Sequence, residues 1–262
     1  MALDIAIQIV NYKTKKYLIK SLKDVFDDLS NCTFTYKINI LDNCSGDDLS
    51  DLELEFKENK NIAFYYSNKN LGFGAGHNLL AKKSSSKYIL LLNPDIEFIE
   101  EDTIKRLMEK AEKSDDIKVV GPKLIGKDGK VQVYDHGELH GFTAWVINNA
   151  GNAYWKDRSV EGEVAWVSGA VFLIKRSAFE KVGGFDENYF LYKEEEDLCL
   201  GIRKLGGKIM YVPDIKLEHY NSVVAKKANF MPASKIYYVK KHYKNPVKRY
   251  LLERLQRILY PD

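Results

Sequence analysis

The first hundred residues repeat one pattern: a short, mainly apolar run, a polar turn, then apolar positions at helical spacing. The runs fall at residues 5–10, 36–41, 62–66 and 87–92. Mainly apolar runs of this length suit strands buried on both faces. Between the first two, Leu18, Leu22, Val25, Phe26 and Leu29 recur every three or four positions, which predicts a helix over 17–29. Further helices are expected from the turn at 43–48 through Phe56, after the glycine-rich turn at 72–76, and over 101–113. Strands alternating with helices imply a largely parallel sheet with helices on both faces, an α/β fold.

Beyond residue 113 the pattern loosens. Residues 126–163 are rich in Gly, Asn and aromatics without a period and read as a long loop region with short strands. A strand is expected at 164–174, with Ser177 as the N-cap of the next helix. A helix over 195–205 is closed by Gly206 and Gly207. Residues 211–213 and 216–219 read as two short extended pieces. The chain then gives two amphipathic helical stretches, 234–243 and 247–259, divided by Pro246.

Charge separates that last part from the rest. The net charge is +3, too small for a nucleic-acid binder. Residues 226–262 nevertheless carry ten Lys or Arg against Glu253 and Asp262, a balance of +8, which leaves −5 for the body. Cys32, Cys44 and Cys199 are odd in number and lack C-x-x-C spacing, which argues against a disulfide scaffold or zinc site and suits a reducing cytoplasm. Asp4 interrupts the first apolar stretch and no run approaches a membrane span, so a cytoplasmic protein is expected.

In open α/β sheets ligands bind beyond the carboxyl ends of the strands. Polar residues gather there: Asn11 after the first run, Asp42 and Asn43 after the second, and Asn93-Pro94-Asp95 after the fourth. Pro94 cannot continue a central ladder, so Asp95 projects at the strand's mouth. The stretch N-L-G-F-G-A-G-H-N at 70–78 would let backbone approach a ligand, with a helix start favouring phosphate. Its G-x-G-x-G spacing after the third strand argues against a dinucleotide-binding dehydrogenase. Four acids, Glu194 to Asp197, open a helix, where they oppose its dipole favourably. A plain acidic first turn looks the same. Phe185, Tyr189, Phe190 and Tyr192 precede it, however, and a desolvated carboxylate is raised toward the range of a general base. His219 ends an extended piece, while His77, His136, His140 and His242 show no metal spacing.

In order along the chain, these pieces resemble the family-two inverting glycosyltransferases of the GT-A fold, and within them rhamnosyltransferase-type members that build bacterial surface polysaccharides. The resemblance rests on I-V-N-Y at 9–12, D-N-C-S at 42–45, the 70–78 loop, L-L-N-P-D at 91–95, W-V-S-G-A-V-F-L-I-K-R at 166–176 and V-G-G-F-D-E-N-Y-F-L-Y at 182–192, with the acidic cluster and His219. It implies a single Rossmann-like, mainly parallel mixed sheet in a catalytic domain over 1–225, followed by the basic tail over 226–262. Within that domain, residues 1–100 would form the nucleotide-binding half and residues 101–225 the acceptor-binding half.

It also implies roles. Asn11, Tyr12, Asp42, Asn43, Asn70, Gly72, Phe73, Gly74, Gly76, Asn78 and Asn93 would line the nucleotide, with Asp42 accepting from the base. Trp166, Ser168, Gly169, Ala170 and Tyr192 would face the donor sugar or acceptor. Asp95 and His219 would hold Mn²⁺ or Mg²⁺. Glu195 would be the base, with Glu194 and Asp197 in the catalytic cluster. Asn93 stands where the first aspartate of a D-x-D motif is usual, so diphosphate oxygens would complete the metal site. Glu195 replaces the usual aspartate, and Glu194 is the alternative base.

The expected partners are a dTDP- or UDP-sugar, with dTDP-rhamnose favoured over a UDP-hexose or UDP-galactofuranose, and a glycan or lipid-linked oligosaccharide acceptor. The tail reads as a surface for anionic membrane, as a solvated helical appendage packed on the body, or as a dimer contact. Two rival functions are a nucleotidyltransferase and a nucleotide-sugar-binding module without chemistry.

Overall fold

β1 (Leu3–Asn11), β2 (Tyr36–Asp42), β3 (Ile62–Tyr66) and β4 (Ser86–Leu92) follow the four apolar runs and lie parallel in the order β3-β2-β1-β4. The protein is represented here by a computed structural model that describes residues 2–138, 155–220 and 230–259. His140, most of the irregular stretch and the first residues of the tail lie outside them. Beyond β4 the sheet continues through β10 (Val171–Lys175), β6 (Ile117–Ile125), β11 (Lys208–His219) and β5 (Ile96–Phe98), with β8 (Gly162–Glu163) also on β11. β10 runs antiparallel to β4 and β6, and β5 antiparallel to β11, whereas β6 and β11 are parallel. The sheet is therefore mixed and mainly parallel. β7 (His136–Gly137) and β9 (Trp166–Val167) form a separate small pair.

Alternation along each strand divides the interior in two. Ile5, Ile7, Ile9, Leu90, Leu92, Val171, Leu173 and Leu217 join the core on one face, under α1 (Lys15–Leu29) and α4 (Thr103–Glu112). Ile89, Leu91, Phe172, Ile174, Ile209 and Tyr211 face the other way, toward α5 (Arg176–Val182) and α6 (Glu194–Lys204). α2 (Ser50–Glu55) adds Leu52 to the first of these cores, and α3 (Phe73–Ala81) packs on β1 and β2.

Several local expectations change. β6 was hidden in the sequence because Gly121-Pro122 interrupts it. A Cβ at residue 121 would collide with the Val167 side chain, and Pro122 sits opposite Val212, where the β6–β11 register shifts. The same irregularity carries Pro213, so the two extended pieces are one strand, Lys208–His219. The expected strand over 164–174 is broken into β9 and β10. Ser177 is not an N-cap: α5 begins at Arg176, with Lys175 in the capping position and no side-chain cap.

The tail folds as α7 (Met231–His242) and α8 (Pro246–Leu259). Pro246 opens α8, a first-turn position that needs no amide donor. Tyr238 and Val239 of α7 and Leu252 of α8 are buried. Among the described residues no helix is long and apolar enough to cross a membrane.

Candidate active site

The carboxyl ends of β1 and β2 meet in register at Asn11 and Asp42. Asn11 Nδ2 donates to Asp42 Oδ1 (2.9 Å) and Asp47 Oδ2 (3.0 Å), and Thr14 Oγ1 donates to Asn11 Oδ1 (2.8 Å). Asp42 also accepts from the Ser45 hydroxyl on Oδ1 and from the Ser45 amide on Oδ2 (3.1 Å). A carboxylate offers about four lone-pair sites, so one on Oδ2 remains for a ligand. Asn43 braces the next loop. Its Nδ2 reaches Asn70 Oδ1 (3.0 Å) and the Gly72 carbonyl (3.1 Å), and its Oδ1 accepts from the Leu71 amide (2.9 Å). Tyr12 is half-buried under the Lys13 ammonium, 5.3 Å from its ring centre.

The glycines of the 70–78 segment act differently from expectation. Gly72, at φ +84°, lies so close to the Phe190 carbonyl that no Cβ fits, and the Phe73 amide donates to that same carbonyl (3.0 Å). Gly74 and Gly76 are already inside α3, where a Cβ would press on Phe185 (2.8 Å) and Val10 (3.2 Å). Asn78 grips the main chain of Phe185 through both amide atoms, at 2.9 Å each. The helix start therefore meets the 183–190 turn, and close packing accounts for Gly74, Gly76 and Asn78 without a phosphate.

At the middle of the sheet, the Asn93 amide donates to the Ala170 carbonyl (2.8 Å), which joins the end of β4 to the Ser168-Gly169-Ala170 turn. Ser168 is half-buried, with its hydroxyl 3.3 Å from the Ala170 amide. Gly169 faces Phe73, and Glu195 Cβ lies 3.9 Å from where its own Cβ would stand. Trp166 is buried over Gly137 in the second core cluster.

The acids of α6 separate by environment. Tyr192 and Lys193, just ahead of the helix, both hold φ +73°, a left-handed pair that bends the chain sharply into it. Burial, followed by the neighbouring Glu195 charge, pushes Glu194 well above the ordinary carboxylate range; it is 2% exposed and its Oε2 has no partner among the described residues. Glu195 retains more exposed surface, yet the protein around it raises its carboxyl to about 7. Glu194 is thus the more deeply buried of the two carboxyls, and Glu195 the more exposed one. Glu196 pairs with Lys193. Asp197 is committed elsewhere: Lys241 Nζ lies 2.8 Å away, and His242 and the Tyr189 hydroxyl close over it. Lys241 and His242, two tail residues that sequence reasoning passed over, thereby occupy both carboxylate oxygens of Asp197.

Asp95 and His219 are brought together where β5 pairs with β11. Both are buried, and His219 Nε2 lies 3.4 Å from Asp95 Oδ1. Nε2 has no hydrogen-bond partner among the described residues. An oxygen and an imidazole nitrogen side by side suit a divalent cation such as Mn²⁺. The described residues nevertheless offer no group of three acids, histidines or cysteines for a metal, so further ligands would have to come from a substrate. A cavity of about 540 Å³ walled by Glu138 and residues 155–161 includes none of these residues.

Comparisons with known proteins bear on the family and the fold. The chain is 32% identical over 146 residues to N-acetylglucosaminyl-diphospho-decaprenol L-rhamnosyltransferase of Mycobacterium tuberculosis, covering 52% of this chain and 47% of that protein. It is 26% identical over 170 residues to the rhamnosyltransferase WbbL of Escherichia coli, covering 60% and 63%. The chain thus spans about half to two thirds of the length of these relatives. Among solved structures, the mannosyltransferase PcManGT of Pyrobaculum calidifontis, in complex with GDP-Man and Mn²⁺, superposes with a TM-score of 0.62 at 11% identity, over 99% of this chain and 70% of that one. TarS 1-349 of S. aureus gives a TM-score of 0.62 at 12% identity, over 98% and 70%. These two share the fold. Residues 6–183 match the model of glycosyl transferase family 2, and the chain belongs to that family.

Proposed function

We propose that the chain is an inverting glycosyltransferase that moves a sugar, rhamnose from dTDP-rhamnose in the favoured reading, onto a hydroxyl of a glycan or lipid-linked acceptor. The observation that carries this is Glu195: a carboxyl raised to about 7 at the start of α6, beside the Gly169 turn that is joined to the end of β4, with Asp95 and His219 paired just beyond that strand. In this reading Asn11, Asp42, Asn43 and Asn70 line the nucleotide, and Gly169 and Ala170 lie against the sugar. As the acceptor oxygen bonds to the anomeric carbon, its proton passes to the Glu195 carboxylate. The bond from that carbon to the diphosphate breaks on the opposite face, so configuration inverts. Mn²⁺ or Mg²⁺, held by Asp95, His219 and diphosphate oxygens, would neutralise charge on the leaving diphosphate.

The donor is tested by thermal shift with a panel of nucleotide sugars, with and without Mn²⁺. Stabilisation by dTDP-rhamnose that needs the metal and is lost in Asp95→Ala is the expected result. A shift with a UDP-hexose or UDP-galactofuranose alone would replace the rhamnose reading. Donor binding without transfer to any acceptor would favour a binding module.

A membrane role for the tail is favoured by α8. Val247, Tyr250 and Leu251 are each more than half exposed, while Leu252 on the opposite side is buried. Lys244, Lys248, Arg249 and Arg254 flank the exposed residues. Basic residues at an anionic surface contribute about 1 kcal/mol each. The protein should float with vesicles containing phosphatidylglycerol and not with neutral ones. Glu at Lys248, Arg249 and Arg254 together should abolish flotation, and flotation unchanged by those substitutions would exclude the tail as the contact.

A further inference from the structure

Gln132 lies 87 residues from His219 in sequence and binds it twice. Its Nε2 donates to the His219 carbonyl (2.8 Å), and its Oε1 lies 2.8 Å from His219 Nδ1. The first contact fixes the second. A main-chain carbonyl only accepts, so the amide nitrogen must face it and Oε1 must face the ring. Oε1 also only accepts, so Nδ1 must carry the ring proton. In a neutral imidazole the lone pair then sits on Nε2, the buried atom that faces Asp95 Oδ1 without a hydrogen bond. A charge-assisted N–H···O bond would run at about 2.7–2.9 Å, shorter than the 3.4 Å separation found here. Two acceptor atoms held face to face repel each other, and a cation between them reverses that repulsion.

Gln132 is itself held. Its amide donates to the Leu124 carbonyl of β6 (2.9 Å), and its carbonyl accepts from the amide of Asp135 (3.3 Å). Asp135 is buried, with its carboxylate filled by His136 Nδ1 (2.7 Å), Trp155 Nε1 (2.9 Å) and the Tyr211 hydroxyl (2.6 Å). The amide that orients the histidine thus stands on a rigid turn joined to the sheet.

We propose that Gln132 is the positioning residue of the cation site: it holds His219 in the tautomer that presents Nε2, beside Asp95, to a divalent metal. The inference rests on the metal reading above and adds a residue that touches neither metal nor substrate. Partners of this kind typically change metal affinity about 10–100-fold.

The test is Mn²⁺ affinity by electron paramagnetic resonance, with UDP and with dTDP present, in the wild-type protein, Asp95→Ala and Gln132→Met. Methionine keeps the volume and removes both hydrogen bonds. Wild type should bind, Asp95→Ala should not, and Gln132→Met should bind about 10–100-fold more weakly. Ring ¹⁵N correlation spectra of metal-free wild type, with His219 assigned by His219→Ala, should show the proton on Nδ1. That measurement needs no variant at Gln132. Gln132→Met binding within twofold of wild type, with Asp95→Ala dead, would overturn the role of Gln132 alone. A neutral His219 with its proton on Nε2 would do the same. Wild type that fails to bind Mn²⁺ with either nucleotide would overturn the metal reading and this inference with it.

Discussion

The Glu195→Gln protein is expected to turn over about 10²–10⁴-fold more slowly than wild type and to bind its donor with nearly the same affinity, because a positioned base acts on the acceptor and only in the transition state. Glutamine matches glutamate in size, so the change removes the proton acceptor and little else. Glu194→Gln should be far milder, since Glu194 is 2% exposed and lies out of reach of an acceptor.

The pH profile gives a second reading of the same group. With the Glu195 carboxyl at about 7 in the folded protein, wild-type kcat/KM should fall tenfold per pH unit below that value and level off above it. The sign for stability is opposite. A carboxyl raised above its unfolded value favours the protonated fold, so its contribution is present below the unfolded value of 4.5 and is lost as pH rises through about 7. Glu195→Gln should therefore melt higher than wild type at pH 8 and much the same at pH 5. Near wild-type turnover in Glu195→Gln would place the base elsewhere, and a profile flat from pH 5 to 8 would remove Glu195 as the titrating group.

The ends of the strands were legible because their polar residues follow apolar runs. Asn11, Asp42, Asn43, Asn93 and Asp95 all occupy the expected edge, and the acidic cluster opens a helix as expected. What local pattern could not supply was pairing across long sequence distance. β6 lacked a continuous apolar signal because close approach to Val167 demands Gly121 and a register shift accommodates Pro122. The glycines at 74 and 76 carried the ambiguity of their kind, since the same residue suits a ligand's approach or a helix packed tightly on a sheet. Asp197 looked equivalent to its neighbours until α7 returned 44 residues later to neutralise it. Gln132 has no motif, and only its geometry against His219 marks it.

The junction of α6 and α7 leads to the other large effect. Asp197 is 8% exposed and shares Lys241 with Asp186, which lies 2.7 Å from the same ammonium, while His242 contacts Asp197 from the end of α7. Ser234 and Tyr237 of α7 add bonds to the Leu191 carbonyl and to Asp186. Removing Lys241 and His242 while leaving the acids strands a buried charge, which typically costs about 3–5 kcal/mol. Lys241→Ala with His242→Ala should thus lower the melting temperature by roughly 6–20 °C. Burial alone would raise Asp186, but Lys241, Asn188 and Tyr237 outweigh it and lower its carboxyl to about 2. A depressed carboxyl stabilises the fold above its unfolded value of 3.8 and loses that contribution as pH falls through about 2. The gap between wild type and the double variant should accordingly narrow as pH falls from 4 toward 2. Because Asp197 lies two residues after Glu195 on α6, the double variant should also lose turnover, with Asp197→Asn in the same background recovering much of the lost stability. A melting temperature within 1 °C of wild type at neutral pH would mean that α7 does not anchor α6.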